Sequence, residues 1–490
     1  MLENLKNELN ITYTENGAKA YATSLSHCLD LFATVGGLRR ATNDEITKRF
    51  IRAFAENPDL AMKILFYARD IRGGLGERRV FRIALKWLCN NHPETVIRNI
   101  GFIAEYGRFD DLLELLATPC EGVAVAYIAE KLKNDKRKMV KGEEVSLLAK
   151  WLPSVNASNQ DTVYLAKKLA RKLNMSDAEY RKLLVSLRAC IRILENNLRE
   201  KDYTFDYSKQ PSKAMFKYRA AFARNDGKRY GDFLNKVVKG ESKLHADTLY
   251  PYELVDRYLG SWGHLENISE DEERSLNATW DSLPDFTNGE NALAVVDTSG
   301  SMYWPTEPKP ASVALSLGLY FAERSKGAFK NHFIEFSARP QLIELKGETF
   351  VDKLRYICTF NEIANTNMEA VFDVILKTAV ENKVSADELP STLYIISDME
   401  FDGCVDNASV TVFENAKLKF EGAGYKLPKV VFWNVASRSL KVPVKKNEQG
   451  VVLVSGCTPR IFSMALSGDF NPEEFMLEVL TSERYAPIAA

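Results

Sequence analysis

Apolar positions in the first half of the chain recur at spacings of three and four. From about residue 18 to 245, segments such as ATNDEITKRFIRAFAENPDLAMKILFYARD, ERRVFRIALKWLCNNHPETVIRNIGFIAEYG, VAVAYIAEKL, TVYLAKKLARKL and AEYRKLLVSLRACIRILENNL each carry one apolar face. They read as successive amphipathic helices with short breaks. Helix pairs recurring at around 40 residues predict a HEAT-like repeat domain, in which each pair buries its apolar face against its neighbours.

The pattern changes over residues 246–290, where Asp, Glu and Asn cluster in ENISEDEERSLNATWDSLPDFTNGE. Beyond that junction strands and helices alternate. ALAVVDTS, HFIEFSA, PQLIEL, LYIISDM, KVVFWNVA and VVLVSG have strand character, with helices through SVALSLGLYFAERSKG, near FVDKLRYIC, after Thr366 and within VFENAKLKFEGAG. This alternation predicts a doubly wound α/β sheet. Two helices, in PRIFSMALSG and PEEFMLEVLTSERY, follow. The expected organisation is an all-α helical repeat domain over 1–245, an acidic junction over 246–290, an α/β domain over 291–470 and a C-terminal helix and tail over 471–490.

Composition narrows the class. At 490 residues, 46% hydrophobic and 27% charged, the chain has ordinary globular composition. It has no run of 18 apolar residues and starts MLENLKNELN, without a secretory apolar core, so a cytoplasmic protein with no membrane segment is expected. Cys28, Cys89, Cys120, Cys190, Cys358, Cys404 and Cys457 are odd in number and form no Cys-x-x-Cys pair, so neither a disulfide framework nor a thiolate zinc site is indicated. The five histidines are equally isolated. Net charge of −1 hides an asymmetry: residues 1–250 hold 43 Lys and Arg against 31 Asp and Glu, while residues 251–490 hold 22 against 35. Such a split fits either a polyanionic partner for the basic half or attraction between the two halves.

Candidate chemistry concentrates in NALAVVDTSGSM, residues 291–302. Asp297, Ser299 and Ser301 alternate, so their side chains can share a face if the loop curls at Gly300. One carboxylate and two hydroxyls are hard oxygen donors suited to Mg2+ or Mn2+ with open coordination positions. The same residue types also cap turns and helices. A second apolar strand ends at Asp398, as ligand binding at the carboxyl ends of a parallel sheet requires, and Thr366 precedes a helix between the two strands. An Asp at position 299 would have suited a haloacid phosphatase, but the residue is Ser299; an aspartic protease would need a second matching Asp loop, and none exists.

The Asp-x-Ser-x-Ser, Thr, Asp series resembles the metal-ion-dependent adhesion site of the von Willebrand factor A fold, which residues 291 to about 470 resemble closely. That resemblance implies metal ligation by Asp297, Ser299, Ser301, Thr366 and Asp398. One departure stands out: where many relatives have Gly after the last aspartate, this chain has Met399, with Glu400 and Asp402 close behind.

In the basic half, PDLAMKILFYARDIRGGLGERRVFR places Gly73, Gly74 and Gly76 at a helix break among Arg69, Arg72, Arg78, Arg79 and Arg82. Free backbone amides beside arginines make an anion site in principle. A tight connection between helices, with the arginines bonded to carbonyls or to acids such as Asp70 and Glu77, accounts for the same residues. Farther on, Lys213, Lys217, Arg219, Arg224, Lys228 and Arg229 mix with Phe216, Tyr218, Phe222 and Tyr230. Such a mixture suits phosphates and unpaired bases, or an amphipathic helix with its aromatics in the core.

FYARDIR followed by GGLGERR is similar to the TROVE module of the Ro autoantigen, and the order of helical module then A domain matches the Ro proteins. LLAKWLPS, PSKAMFKYRAAF and TLYPYELV are similar to a bacterial, viral and plant family of the same two-part design. The Ro resemblance implies a helical ring with basic surface that binds small noncoding or misfolded RNA, with Arg72, Arg78, Arg79, Lys213, Lys217 and Arg219 as candidate RNA contacts. The expected function is noncatalytic RNA binding with a divalent-metal site in the A domain. The alternative is a metal-dependent protein-interaction scaffold that captures an acidic side chain of a partner. No base, nucleophile or phosphate loop completes an enzyme site.

Overall fold

A computed structural model describes the chain except for residues 192, 288, 337–338, 361–364, 404–408 and 465–469. Cys404, the end of the HFIEFSA strand, the start of the segment leading to Thr366 and the end of the PRIFSMALSG helix lie outside the described residues. The chain divides into two compact units: Met1–Ile64, Gly73–Leu75 and Tyr207–Ala486 form one, and Leu65–Arg72, Gly76–Asp206 and Pro487–Ala490 the other.

The second unit is helical. Helix Arg78–Asn91 buries Val80, Phe81, Ala84, Leu85, Leu88 and Cys89, a stripe at the spacing the sequence sets. Edge-on contacts of Phe66 with Phe81 and Tyr106, at ring separations of 5.5 and 5.4 Å, join the neighbouring helices. Helix Asp177–Cys190 starts in a Ser176–Glu179 capping box.

The first unit holds both helical and sheet residues. Short strands β1 (Ile11–Tyr13) and β2 (Lys19–Tyr21) form an antiparallel hairpin. Helices Ser212–Asn225, Gly227–Val238 and Glu270–Asp281 gather around the clustered rings of Tyr207, Phe222, Tyr230 and Phe233. Phe222 and Tyr230 are thus core residues, as the amphipathic-helix account of that segment has it.

The sheet comprises β3 (Ala292–Asp297), β4 (His332–Phe336), β5 (Gln341–Glu344), β6 (Thr392–Ser397), β7 (Lys429–Asn434) and β8 (Val451–Ser455), in the order β5-β4-β3-β6-β7-β8. Every pairing is parallel except that of β4 with β5. Every residue of β3 and β6 is buried because helices cover both faces, which is why these strands read as continuous apolar runs. Helix Pro310–Arg324 covers one face and comes so close at Gly318 that a Cβ there would lie 2.4 Å from Val296 Cγ2. Helices Met368–Asn382 and Val412–Gly422 contribute Val371, Phe372, Phe413 and Phe420 to the core on the other face.

The expected fold class is therefore found: helices first, then a mostly parallel doubly wound sheet with each predicted strand present. Among the described residues, no helix is long and apolar enough to cross a membrane.

Candidate metal centre

Strand order reverses between β3 and β6: the chain leaves β3 for β4 on one side and later enters β6 on the other. A crevice outside the carboxyl ends of two such strands is where open α/β sheets bind ligands. Asp297 is the last residue of β3, and Asp398 follows the last residue of β6. Parallel register brings the two ends side by side.

Asp297 is fully buried. Its Oδ1 accepts a hydrogen bond from the Ser299 amide at 2.8 Å, and its Oδ2 accepts one from the Ser397 hydroxyl at 2.5 Å. The Ser299 and Ser301 hydroxyls lie 3.3 Å apart. Asp398 Oδ1 accepts from the Glu400 amide at 3.2 Å, and the Ser397 hydroxyl also accepts from the Met399 amide at 3.0 Å. Burial, followed by the charge of Asp398, pushes the Asp297 carboxyl up to about 7. Burial also raises Asp398, opposed by the Arg438 charge and the Ser301 hydroxyl.

Thr366 is buried and is tied to the same loop through its backbone: its carbonyl accepts from the Asp402 amide at 2.9 Å and the Met368 amide at 3.1 Å. Asn16 Nδ2, from the turn of the β1–β2 hairpin, donates to the Thr366 hydroxyl at 3.4 Å and to the Glu400 carbonyl at 2.6 Å. The structure thus gathers Asp297, Ser299, Ser301 and Asp398 directly, and links Thr366 to them through the loop of residues 400–402.

Met399 has φ of 68°, a left-handed conformation that costs a non-glycine residue roughly 1–2 kcal/mol. This explains why glycine suits the position. Met399 is also part of the core cluster, so burial of its side chain offsets the backbone strain.

Arg438 and Glu15 carry no mark in the sequence, whereas Glu400 stands out there as an extra carboxylate. Arg438, in the loop after β7, places Nε 3.1 Å from Asp398 Oδ2 and Nη1 3.0 Å from Glu15 Oε2. The contact with Asp398 is an ion pair without hydrogen-bond alignment, for both Nε and Oδ2 are buried and neither has a hydrogen-bond partner. Glu400 is buried, accepts from the Glu15 amide at 2.7 Å and has Lys441 3.9 Å away. Among the described residues no three His, Cys, Asp or Glu side chains converge as a metal cluster of those types would need, because hydroxyls make up most of this donor set. Two carboxylates and three hydroxyls, with one buried carboxylate oxygen lacking a hydrogen-bond donor, fit a hard divalent cation.

The arginine-rich break is closed upon itself. The Gly76 and Glu77 amides donate to the carbonyls of Asp70 and Ala68, at 3.1 and 2.6 Å, and the Arg72 amide donates to Asp70 Oδ1 at 2.9 Å. These three amides are therefore spent within the turn, as the tight-connection account of this break has it. Arg69 and Arg82 clamp the buried Asp111, at 2.7 Å each. Arg72, Arg78 and Arg79 are exposed, with Arg72 Nη1 donating to the Glu105 carbonyl at 2.7 Å.

In the other unit, Lys213 is exposed and paired with Glu253, and Lys217 is exposed over the ring of Tyr218. Arg219 differs. It is only 7% exposed and donates to the Phe216 carbonyl at 2.8 Å and the Tyr258 hydroxyl at 2.9 Å, so its guanidinium serves internal packing.

The sequence matches the family described as Domain of unknown function (DUF2828) over residues 14–127 and 122–286, and that described as Domain of unknown function (DUF7788) over residues 291–485. Protein L728 of Acanthamoeba polyphaga mimivirus, described as uncharacterized, is 31% identical over 514 residues, covering 96% of this chain and 87% of that protein. The crystal structure of the Deinococcus radiodurans RO (RSR) protein aligns with a TM-score of 0.49 at 14% identity, over 94% of this chain and 100% of that one.

Proposed function

This chain belongs to the family described as Domain of unknown function (DUF2828), and we propose that it is a noncatalytic RNA-binding protein whose sheet-bearing unit holds a divalent cation. The observation that carries the cation is the meeting of Asp297, Ser299, Ser301 and Asp398 at the point where strand order reverses, with Thr366 bound to the same loop. These five residues would hold Mg2+ or Mn2+. A bound ion supplies positive charge and coordination positions for an acidic group or a phosphate.

The sequence likeness to the TROVE module supports RNA as the ligand, and small noncoding or misfolded RNA is the class it implies. Exposed cations support it too: Arg72 in a turn and Arg78 and Arg79 on a helix in one unit, Lys213 and Lys217 on a helix in the other. Arg219 is left out because its guanidinium is spent inside the protein. Ser299 and Ser301 bond to each other and to carboxylates rather than to a histidine or lysine base, which supports binding over catalysis.

Fluorescence anisotropy of a labelled structured RNA at 50 and 200 mM salt tests the reading. Neutralised phosphates release counterions, so affinity is expected to fall about a thousandfold or more if six or more phosphates are contacted. Equal affinity at the two salt concentrations would contradict it.

One observation favours the scaffold as a second reading: the rim of the site already receives a carboxylate, that of Glu15, through Arg438. In that reading the ion captures an acidic side chain of a partner. Asp297→Ala and Ser299→Ala would then abolish capture and leave RNA affinity intact.

A further inference from the structure

The charges around the candidate cation site do not balance as a bare metal site would. Asp297, Asp398 and Glu400 are all buried, and the nearest opposite charges are Arg438 and, 3.9 Å from Glu400, Lys441. Arg438 reaches inward to Asp398, whose side chain is 1% exposed, and outward to Glu15, whose side chain is 53% exposed. A single guanidinium thus spans a buried carboxylate and a solvated one.

The two contacts differ in kind. A forked arginine–carboxylate pair is held by two aligned hydrogen bonds. Between Arg438 Nε and Asp398 Oδ2 no hydrogen bond forms, so Arg438 is held there by charge alone, and a second cation can replace it without stripping a bonded geometry. Glu15 is fixed in place by its backbone: its amide is bonded to Glu400 and the neighbouring Asn16 side chain to the Glu400 carbonyl. The hairpin turn therefore presents a carboxylate to which Arg438 can move without leaving its loop.

Resting on the cation reading above, we propose that Arg438 is an internal counter-ion that a divalent ion displaces from Asp398, and that Glu15 sets the cation affinity by drawing Arg438 outward. The N-terminal hairpin is then the site's partner within the same chain. Two like charges at neighbouring positions repel, so the arginine lowers the affinity for the divalent ion, and Glu15 partly restores it. By linkage, the ion and the Arg438–Asp398 contact exclude one another to the same degree.

The signs separate this role from a purely structural one. Loss of a scaffold residue weakens binding whichever residue is removed. Here Arg438→Gln is expected to bind Mg2+ about tenfold more tightly, the order of effect of removing one nearby charge in a partly buried site. Glu15→Gln is expected to bind it several-fold more weakly, because Arg438 then returns fully to Asp398. Arg438→Lys keeps the charge on a shorter reach and is expected to fall between the wild type and Arg438→Gln.

The experiment is isothermal titration of MgCl2 into the full chain freed of metal by chelation, for the wild type and all three variants. The Mg2+-induced rise in melting temperature serves as a second readout and shows that each variant is folded. Opposite shifts for Arg438→Gln and Glu15→Gln support the inference. Wild-type binding that Arg438→Gln weakens or leaves unchanged overturns the inference and leaves the cation site standing. No binding by the wild type and Arg438→Gln alike overturns both.

Discussion

The Ser397 hydroxyl donates to Asp297 Oδ2 at 2.5 Å, tying the last residue of β6 to the last residue of β3. That bond, with those from Ser299, satisfies a carboxylate with no exposure to water. Ser397→Ala leaves Oδ2 buried without a donor and is expected to cost about 1–3 kcal/mol in urea unfolding, with an unchanged m-value.

The same carboxylate makes metal-free stability depend on pH. Asp297 is raised from 3.8 to about 7 in the folded chain, so between those values the folded state holds a proton that the unfolded state has lost. Its contribution is full below the unfolded value and disappears as pH rises through the folded one. In chelator, the melting temperature is expected to fall from pH 4 to pH 8 on account of this group, and added Mg2+ is expected to restore it most at the alkaline end. A melting temperature in chelator that rises across this window would contradict the assignment.

Asp111 holds Arg69, which is 2% exposed, and also pairs with Arg82. Asp111→Ala strands a buried guanidinium and is expected to cost about 3–5 kcal/mol, measured by chemical unfolding. The change should leave Mg2+ binding by the other unit unaffected.

Gly36 lies against the backbone of Gly456, just past β8: a Cβ on Gly36 would sit 2.5 Å from the Gly456 nitrogen. Backbone on both sides leaves no flexible side chain to give way. Gly36→Ala is expected to destabilise by about 1–3 kcal/mol, read as a lower denaturant midpoint.

What the sequence made legible follows the physics of each signal. Long apolar runs such as Ala292–Asp297 and Thr392–Ser397 announce buried parallel strands, and the alternation of Asp297, Ser299 and Ser301 survives folding as one cluster. The β1–β2 hairpin was not anticipated, because strands of three residues are too short to show a period of two. Arg438 was missed for a related reason: it stands in an irregular loop, and only tertiary contact pairs it with Asp398 and Glu15. Arg219 shows the limit of composition, which does not reveal that a neighbouring hydroxyl or carbonyl has already claimed a charged group.

A cation held where β3 and β6 end is open to direct observation. Crystals of the full chain grown in chelator and soaked in MnCl2, with anomalous diffraction recorded at the manganese edge, would reveal it. One strong peak is expected at oxygen-coordination distance, about 2.0–2.3 Å, from the Asp297–Ser299–Ser301 loop, with Asp398 and Thr366 around it directly or through water. A map with no peak at these loops, although the Asp297 and Asp398 side chains are ordered, would contradict it.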